Sequence, residues 1–534
     1  PLSQIFLDPP HHPLFAGGNM NYVTGLSVTV LLILFAGCFN FANLFISQST
    51  SRAKEIGVRK ISGAARSQLV FQFLGEAVIL SLGSLIIASM LFPLLREAGQ
   101  SLLGLSLSLS WGQYMEVAVI ALSVAVVLGI LAAVYPALVI SAFDSGQVLK
   151  SNFRHNFPIR FLRKAIVVTQ FAICIAIITS LLVIGKQMRF IKERDLGFAK
   201  DEVLLLRMNG DELTERYYGI RNRLEQNSLV SGVTIGGHRM DGNFGNVPIF
   251  VEGSDEGYPM SIDASTYGFY RTVGIDVVAG RELSENFPSD SAHGVLINQA
   301  AARIFGWTDE DAVGKRIRVS NIVTEGQVVG VLKNFHFGSL HTEIAPLVSF
   351  YPRTMLQDIY VRITKGAIYG EVIASLQHDW SQVVADLPFD YTFLNAHIES
   401  LYDSEKQFSS LFKFFSFLAI VISCMGLYGL VSQELQYRVK EIGIRKVLGA
   451  TIANLLGLIT GKFFMLILVG NLVAWPAAWY FLHQWLSNFA YHIKVDLYLF
   501  AVAGLGTLLL AFFTIAGKSF RSAIANPVDS LRNE

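Results

Sequence analysis

Outside its apolar stretches, the 534-residue chain offers few side chains suited to bond-making chemistry, chiefly His238, His336, His341 and Glu343. A hydrolytic zinc site of the H-E-x-x-H kind needs two imidazoles one helical turn apart, with a glutamate between them as base. His336 and His341 are separated by four residues with no such glutamate, and no nucleophile signature lies beside them. Their plain reading is structural. Phosphate chemistry fares no better. A search for G-x-x-x-x-G-K-[ST] stops at Gly517-Lys518-Ser519, where Phe512 stands in place of the first glycine and an apolar run precedes the motif. The three cysteines, Cys38, Cys174 and Cys424, all fall inside apolar runs, so neither a disulfide framework nor a zinc site is expected. The sequence therefore predicts no catalytic residue, no metal and no cofactor in this chain.

A different pattern of charged residues is informative because it occurs twice. Arg52-Ala-Lys-Glu-Ile-Gly-Val-Arg-Lys-Ile-Ser-Gly-Ala64 returns 386 residues later as Arg438-Val-Lys-Glu-Ile-Gly-Ile-Arg-Lys-Val-Leu-Gly-Ala450, identical at nine of thirteen positions. Each copy sits between two long apolar runs. A short charged segment so confined is expected to be an amphipathic docking helix at a membrane surface. Lys54, Glu55, Arg59 and Lys60, or Lys440, Glu441, Arg445 and Lys446, would offer charge. Ile56 and Val58, or Ile442 and Ile444, would insert into a partner's groove, and Gly57 or Gly443 would permit close backbone approach. A basic loop flanking a membrane span accounts for the Lys and Arg, but not for an identical Glu-Ile-Gly. Glu76 and Lys462 are also 386 apart and lie within apolar runs. An ion pair between the two halves is one expectation for them; reaching the nearby surface along their stems is the other.

The elements that position these residues follow from composition. A chain 52% hydrophobic and 16% charged, with mean hydropathy +0.46, is not an ordinary soluble protein. Seven runs, at about 22–47, 67–95, 117–142, 165–185, 408–432, 451–481 and 497–517, are long enough to cross about 30 Å of hydrocarbon. Seventeen Lys/Arg fall in the loops 48–66, 143–164 and 433–450 and the C-terminal tail, against Arg96 and Lys494 in the opposite short loops. The positive-inside rule then puts both charged repeats and the C-terminus in the cytoplasm and residues 187–405 outside. That long segment carries 19 basic and 30 acidic residues, so the basic charge is concentrated beside the spans and a nucleic-acid partner is not expected.

The expected fold class is an α-helical polytopic membrane protein, a parallel repeat of a four-span unit with seven spans present, carrying an inserted mixed α/β extracytoplasmic domain. Residues 1–20 read as the tail of an earlier extracytoplasmic domain, 21–150 as a first unit of three spans, and 151–164 as a linker. The span 165–186 opens the second unit, 187–405 form the inserted domain, and 406–534 complete the second unit. Phe92-Pro93 and Trp475-Pro476 occupy matching places, where proline would kink or end a helix. Within the domain, Val203–Met208, Val247–Glu252 and Gln327–Leu332 read as strands, and Asp211–Gln226 and Val295–Phe305 as helices. Ala396 to Phe408 reads as a helix running unbroken into the following span.

The two charged segments, each closed by Gly-Ala, resemble those of the FtsX/MacB-type permeases of ABC transporters. Phe269-Tyr-Arg-Thr-Val-Gly-Ile-Asp-Val-Val-Ala-Gly-Arg281, Val295-Leu-Ile-Asn-Gln-Ala-Ala-Ala-Arg303 and Val328-Val-Gly-Val-Leu-Lys-Asn-Phe-His-Phe337 are similar to that family's periplasmic core domain. The resemblance is greatest to eight-span members with two periplasmic domains, here shortened at the N-terminus. It implies that 52–64 and 438–450 are coupling helices contacting ATP-hydrolysing subunits, with ATP and Mg held by that partner. It also implies a multi-pass protein of the bacterial inner membrane, whose remaining partners are the lipid bilayer and a periplasmic adaptor or substrate protein. The expected function is export or extrusion of a lipoprotein, peptide or small molecule. Mechanical control of an envelope enzyme is the alternative. A membrane enzyme built on His336 and His341 is a third reading, and a secondary transporter is disfavoured by the scarcity of midplane charges.

Overall fold

The structure, a computed structural model, describes residues 20–51, 53–103, 110–142, 157–207, 210–242, 244–320, 322–351, 357–437, 441, 444–445, 448 and 451–524. Among these, seven helices are long and apolar enough to cross a membrane. In the first half they are α1 (Met20–Ser51), α3 (Arg66–Leu103) and α4 (Trp111–Ala142), with the short α2 (Ala53–Ile61) between α1 and α3. The fourth, α5 (Phe157–Glu193), leads into the inserted domain. Pro93 and Pro476 do not end their helices. Each lies inside a continuous one, Arg66–Leu103 and Ile452–Leu486, as membrane helices tolerate when neighbours satisfy the freed carbonyl.

The inserted domain has two lobes. One is a four-stranded antiparallel sheet of β1 (Val203–Arg207), β2 (Val230–Gly236), β10 (Asp358–Ile363) and β11 (Tyr391–Phe393), in the order β11-β1-β10-β2. It is contributed by both ends of the insertion. The run Val203-Leu-Leu-Leu206 in β1 is apolar throughout because both of its faces are covered. Leu204 and Leu206 pack on α6 (Gly210–Glu225), while Val203 and Leu205 face Phe269, Tyr360 and Leu394.

The second lobe occupies the chain between β2 and β10. It comprises β3 (Asn246–Val251), β4 (Gly257–Ala264), β5 (Val277–Gly280), β6 (Gly294–Asn298), β7 (Arg316–Val319), β8 (Val323–Leu332) and β9 (Leu347–Phe350), in the order β5-β8-β6-β9-β4-β3-β7. A further pairing of β7 with β8 curls the sheet back on itself around a core of Ile262, Val295, Ile297, Val328 and Val348.

Two expectations are corrected here. Val295–Phe305 is not one helix: β6 ends at Asn298, and α7 (Gln299–Ile304) begins there, capped by Asn298 Oδ1 accepting from the Ala301 N–H at 2.9 Å. The run Val-Leu-Ile is buried on both sides as a central strand, and the helical spacing begins only with the alanines that follow it. Nor does the chain pass unbroken into the span. After α8 (Tyr369–Val383), α9 (Leu394–Ser400) ends, Leu401 and Tyr402 form a turn, and α10 (Asp403–Tyr437) starts afresh. The turn is held because the buried Tyr402 hydroxyl accepts the Leu340 N–H at 2.9 Å.

The second half closes with α11 (Ile452–Leu486) and α12 (Leu497–Ile524). α5 lies inside this unit, with Phe171 and Ile175 among Leu427 and Val431 of α10, Ile467 of α11 and Ile515 of α12. The two units meet where Tyr22 of α1, Ile177 of α5 and Phe408 and Phe412 of α10 form one apolar cluster.

Candidate functional site

The first charged repeat folds as α2, which contains Lys54, Glu55, Ile56, Gly57, Val58, Arg59 and Lys60. At nine residues it is below the roughly 12–15 at which an isolated helix holds in water, so its ends must be fixed. Gly63, at φ 96°, supplies the left-handed turn, and the Ala64 and Gly63 N–H groups return to the Arg59 and Lys60 carbonyls at 3.0 Å each. This is a glycine-terminated helix stop. The next helix, α3, starts with the Ala65 N–H bonded to Gln68 Oε1 at 3.0 Å.

On the surface of α2, Arg59 donates to Glu55 Oε1 at 2.6 Å, one turn away, and also to Gln72 Oε1 of α3 at 3.1 Å. In the second repeat Arg445 meets Glu441 Oε1 at 2.8 Å, the same pair 386 residues later. Lys440, Ile442, Gly443 and Lys446 lie outside the described residues. Beside the first pair Val58 is 56% exposed, and beside the second Ile444 is 54% exposed. An exposed pair of this kind contributes about 0.3–0.5 kcal/mol, too little to explain its recurrence through stability. What recurs is a surface: a fixed acid and base flanked by bare aliphatic side chains.

Glu76 and Lys462 are not brought together. Gln72 Nε2 donates to Glu76 Oε1 at 3.0 Å within α3, whereas Lys462 Nζ lies 3.5 Å from Glu434 Oε1 of α10. The reason is packing: α3 lies chiefly on α4, and α11 lies chiefly on α5.

At the opposite ends of α1 and α10 the bundle is fastened to the inserted domain. Glu405, 5% exposed, accepts the Tyr22 hydroxyl at 2.8 Å and stands 3.5 Å from His341 Nε2. A carboxylate so buried requires such partners. His341 stacks on Phe489, 4.2 Å between ring centroids, and hydrogen-bonds Ser339 Oγ through Nδ1 at 2.6 Å. The Ala490 N–H donates to the His341 carbonyl at 3.1 Å. Gln187 of α5 ties the same loop, donating to the Tyr491 carbonyl at 3.1 Å and accepting the Ile493 N–H at 2.9 Å. Lys186 adds an ion pair to Asp496 at 2.7 Å.

This fastening explains the histidines. His336 packs edge-on against Tyr491, and His238 hydrogen-bonds Asp263 at 3.3 Å while stacking on Phe244. Burial lowers the pKa of His341 against the opposing pull of Glu405. It lowers that of His336 too, with Arg194 adding to the effect. Among the described residues no three His, Cys, Asp or Glu side chains gather to hold a metal. Sequence reasoning found the histidines but missed Tyr22, Gln187, Glu405 and Phe489. The one available signal was an acidic residue, Glu405, at the mouth of an apolar run.

Family models match most of the chain. A model described as FtsX-like permease C-terminal matches residues 27–144 and again 413–527, and one described as MacB-like periplasmic core domain matches 165–379. Solved structures with similar segments include the periplasmic region of MacB from Actinobacillus actinomycetemcomitans (14% identity, 39% of this chain and 96% of that one, TM-score 0.29). A domain of a putative permease protein from Porphyromonas gingivalis matches at 15% identity over 36% of this chain and 89% of that one, TM-score 0.25. The extracellular domain of the noncanonic ABC-type transporter YknZ from Gram-positive bacteria matches at 16% identity over 36% and 97%, TM-score 0.25. No curated protein matches the chain.

Proposed function

The chain belongs to the FtsX/MacB-like ABC transporter permease family, and from that premise we propose that it is the membrane subunit through which separate ATPase subunits move a periplasmic domain. The observation that carries this reading is the paired surface, Glu55–Arg59 beside Val58 and Glu441–Arg445 beside Ile444, repeated in both halves. Two equivalent docking helices suit two copies of a motor subunit, which would bind ATP and Mg. On this reading both docking helices and the C-terminus face the cytoplasm.

Each docking segment adjoins a helix, α1 or α10, whose other end meets the inserted domain. These helices have 32 and 35 residues, about 48–52 Å at 1.5 Å per residue. A displacement at the docking surface would therefore reach Tyr22 and Glu405 as a rigid-body movement. The work done outside is extrusion of a lipoprotein, peptide or small molecule from the periplasmic side. The direct fastening of His341 to Phe489 and Glu405 serves control of an envelope enzyme equally well, and that is the second reading.

The test is purification of the full-length protein from membranes, with identification of the ATPase and outer proteins that accompany it. The expected result is a nucleotide-hydrolysing subunit whose recovery depends on Val58 and Ile444. Labelling that puts Lys54 or Lys440 on the periplasmic side, or a fully working assembly without an ATPase, would overturn the proposal.

A further inference from the structure

Where α1 crosses α10, Asn40 faces Gly426, the residue at the equivalent position of the other repeat. Asn40 and Gly426 are 386 apart in sequence, as are Asn43 and Gly429. A Cβ at Gly426 would stand 3.1 Å from Asn40 Oδ1 and 2.6 Å from Gln170 Nε2, and one at Gly429 would stand 2.7 Å from Leu44 Cδ2. The glycines of one repeat thus make room for the side chains of the other. Gln170 of α5 donates to the Ile422 carbonyl at 3.3 Å. The asparagines are less well served. Asn43 is 2% exposed, and among the described residues neither of its amide atoms has a hydrogen-bond partner, nor does Asn40 Oδ1.

An amide withdrawn from solvent without a partner is costly, and more so at membrane depth. Packing does not demand amides here, since the second repeat has glycine at both equivalent places. Residues three apart share one side of a helix, so Asn40 and Asn43 lie on the same side of α1. Asn43 lies eight residues before the end of α1, about 12 Å along the helix, on the side of the bundle remote from the inserted domain. Small polar sites of this kind hold water that makes two to four hydrogen bonds.

We propose that the amides of Asn40 and Asn43 bind water inside the membrane-spanning bundle, so that the seam between the two repeats is wet next to the first docking helix. A wet seam exchanges hydrogen bonds as it shifts, and it parts more readily than a packed apolar one. The inference does not depend on what docks at α2, because its readouts need no partner.

The test uses the full-length chain with Cys38, Cys174 and Cys424 replaced by alanine, in membrane vesicles, probed with a small charged methanethiosulfonate. Asn43→Cys is expected to react at least tenfold faster than Ala36→Cys, which lies two turns away and is equally buried. In parallel, the thermal midpoint of Asn43→Leu is expected to fall or stay level, since leucine discards the water with its bonds. Labelling of Asn43→Cys no faster than Ala36→Cys overturns the proposal. So does a raised midpoint for Asn43→Leu, which would mean that the amide is dry and unpaired in the native protein.

Discussion

His341 Nε2 lies 3.5 Å from Glu405 Oε1, the same oxygen that accepts the Tyr22 hydroxyl at 2.8 Å. One carboxylate thereby joins the first unit, the second unit and the inserted domain, although its partners are 383 and 64 residues away in sequence. Removing the hydroxyl alone, by Tyr22→Phe, strips a buried carboxylate of a donor. A cost on the order of 1–3 kcal/mol is expected, measured as a lower midpoint in denaturant or heat. In the cycle with Glu405→Gln the two losses should not add. Additive losses would mean that the hydroxyl and carboxylate do not act together.

Acid should loosen the same junction. Burial holds His341, His336 and His397 below their ordinary value of 6.5. A histidine kept neutral by folding contributes stability above about pH 6.5 that is lost as pH falls through its lowered folded value. The thermal midpoint is expected to be level from pH 8 to 7 and to decline below about 6.5. His341→Gln should decline less steeply. A midpoint that rises on acidification would show that the attraction of Glu405 outweighs burial.

The proposed docking surfaces should tolerate change without unfolding. Val58→Asp and Ile444→Asp alter exposed side chains, so stability should move by no more than about 0.5 kcal/mol. Recovery of an ATPase partner should fall severalfold in each single variant and vanish in the double. Undiminished recovery in the double variant would move the docking surface elsewhere.

Two glycines in the seven-stranded lobe leave no room for a side chain. Gly280, at φ 73°, would put a Cβ 2.3 Å from the Val329 carbonyl oxygen, and Gly330 would put one 2.2 Å from that of Arg281. Backbone must shift in either case, so Gly330→Ala should destabilise the lobe by about 1–3 kcal/mol or more. A melt of the full-length protein with unchanged midpoint would contradict the close approach of β5 and β8.

The membrane part was legible in the sequence because a span announces itself by composition over some twenty residues, and the short charged helix Ala53–Ile61 because its sequence appears twice. Pattern served the inserted domain less well. The run Val295-Leu-Ile carries no period that separates a central strand from a buried helix, and its neighbours in space decide the matter. The turn at Leu401–Tyr402 was hidden for a similar reason. Its local sequence favours helix on both sides, and the hydrogen bond that breaks it comes from Leu340, 62 residues away. The pairing of Glu76 with Lys462 failed because equivalence under a repeat fixes position within each unit but not which helices of the two units touch.

Gly236 and Asp358 are register partners on adjoining strands, so the chain leaves the four-stranded sheet for the seven-stranded lobe and returns to it through a single gap. Everything from 237 to 357 is spliced in at that one spot. Variation within the seven-stranded lobe can therefore accumulate without altering the four-stranded sheet, whose outer ends carry the chain to and from the membrane helices.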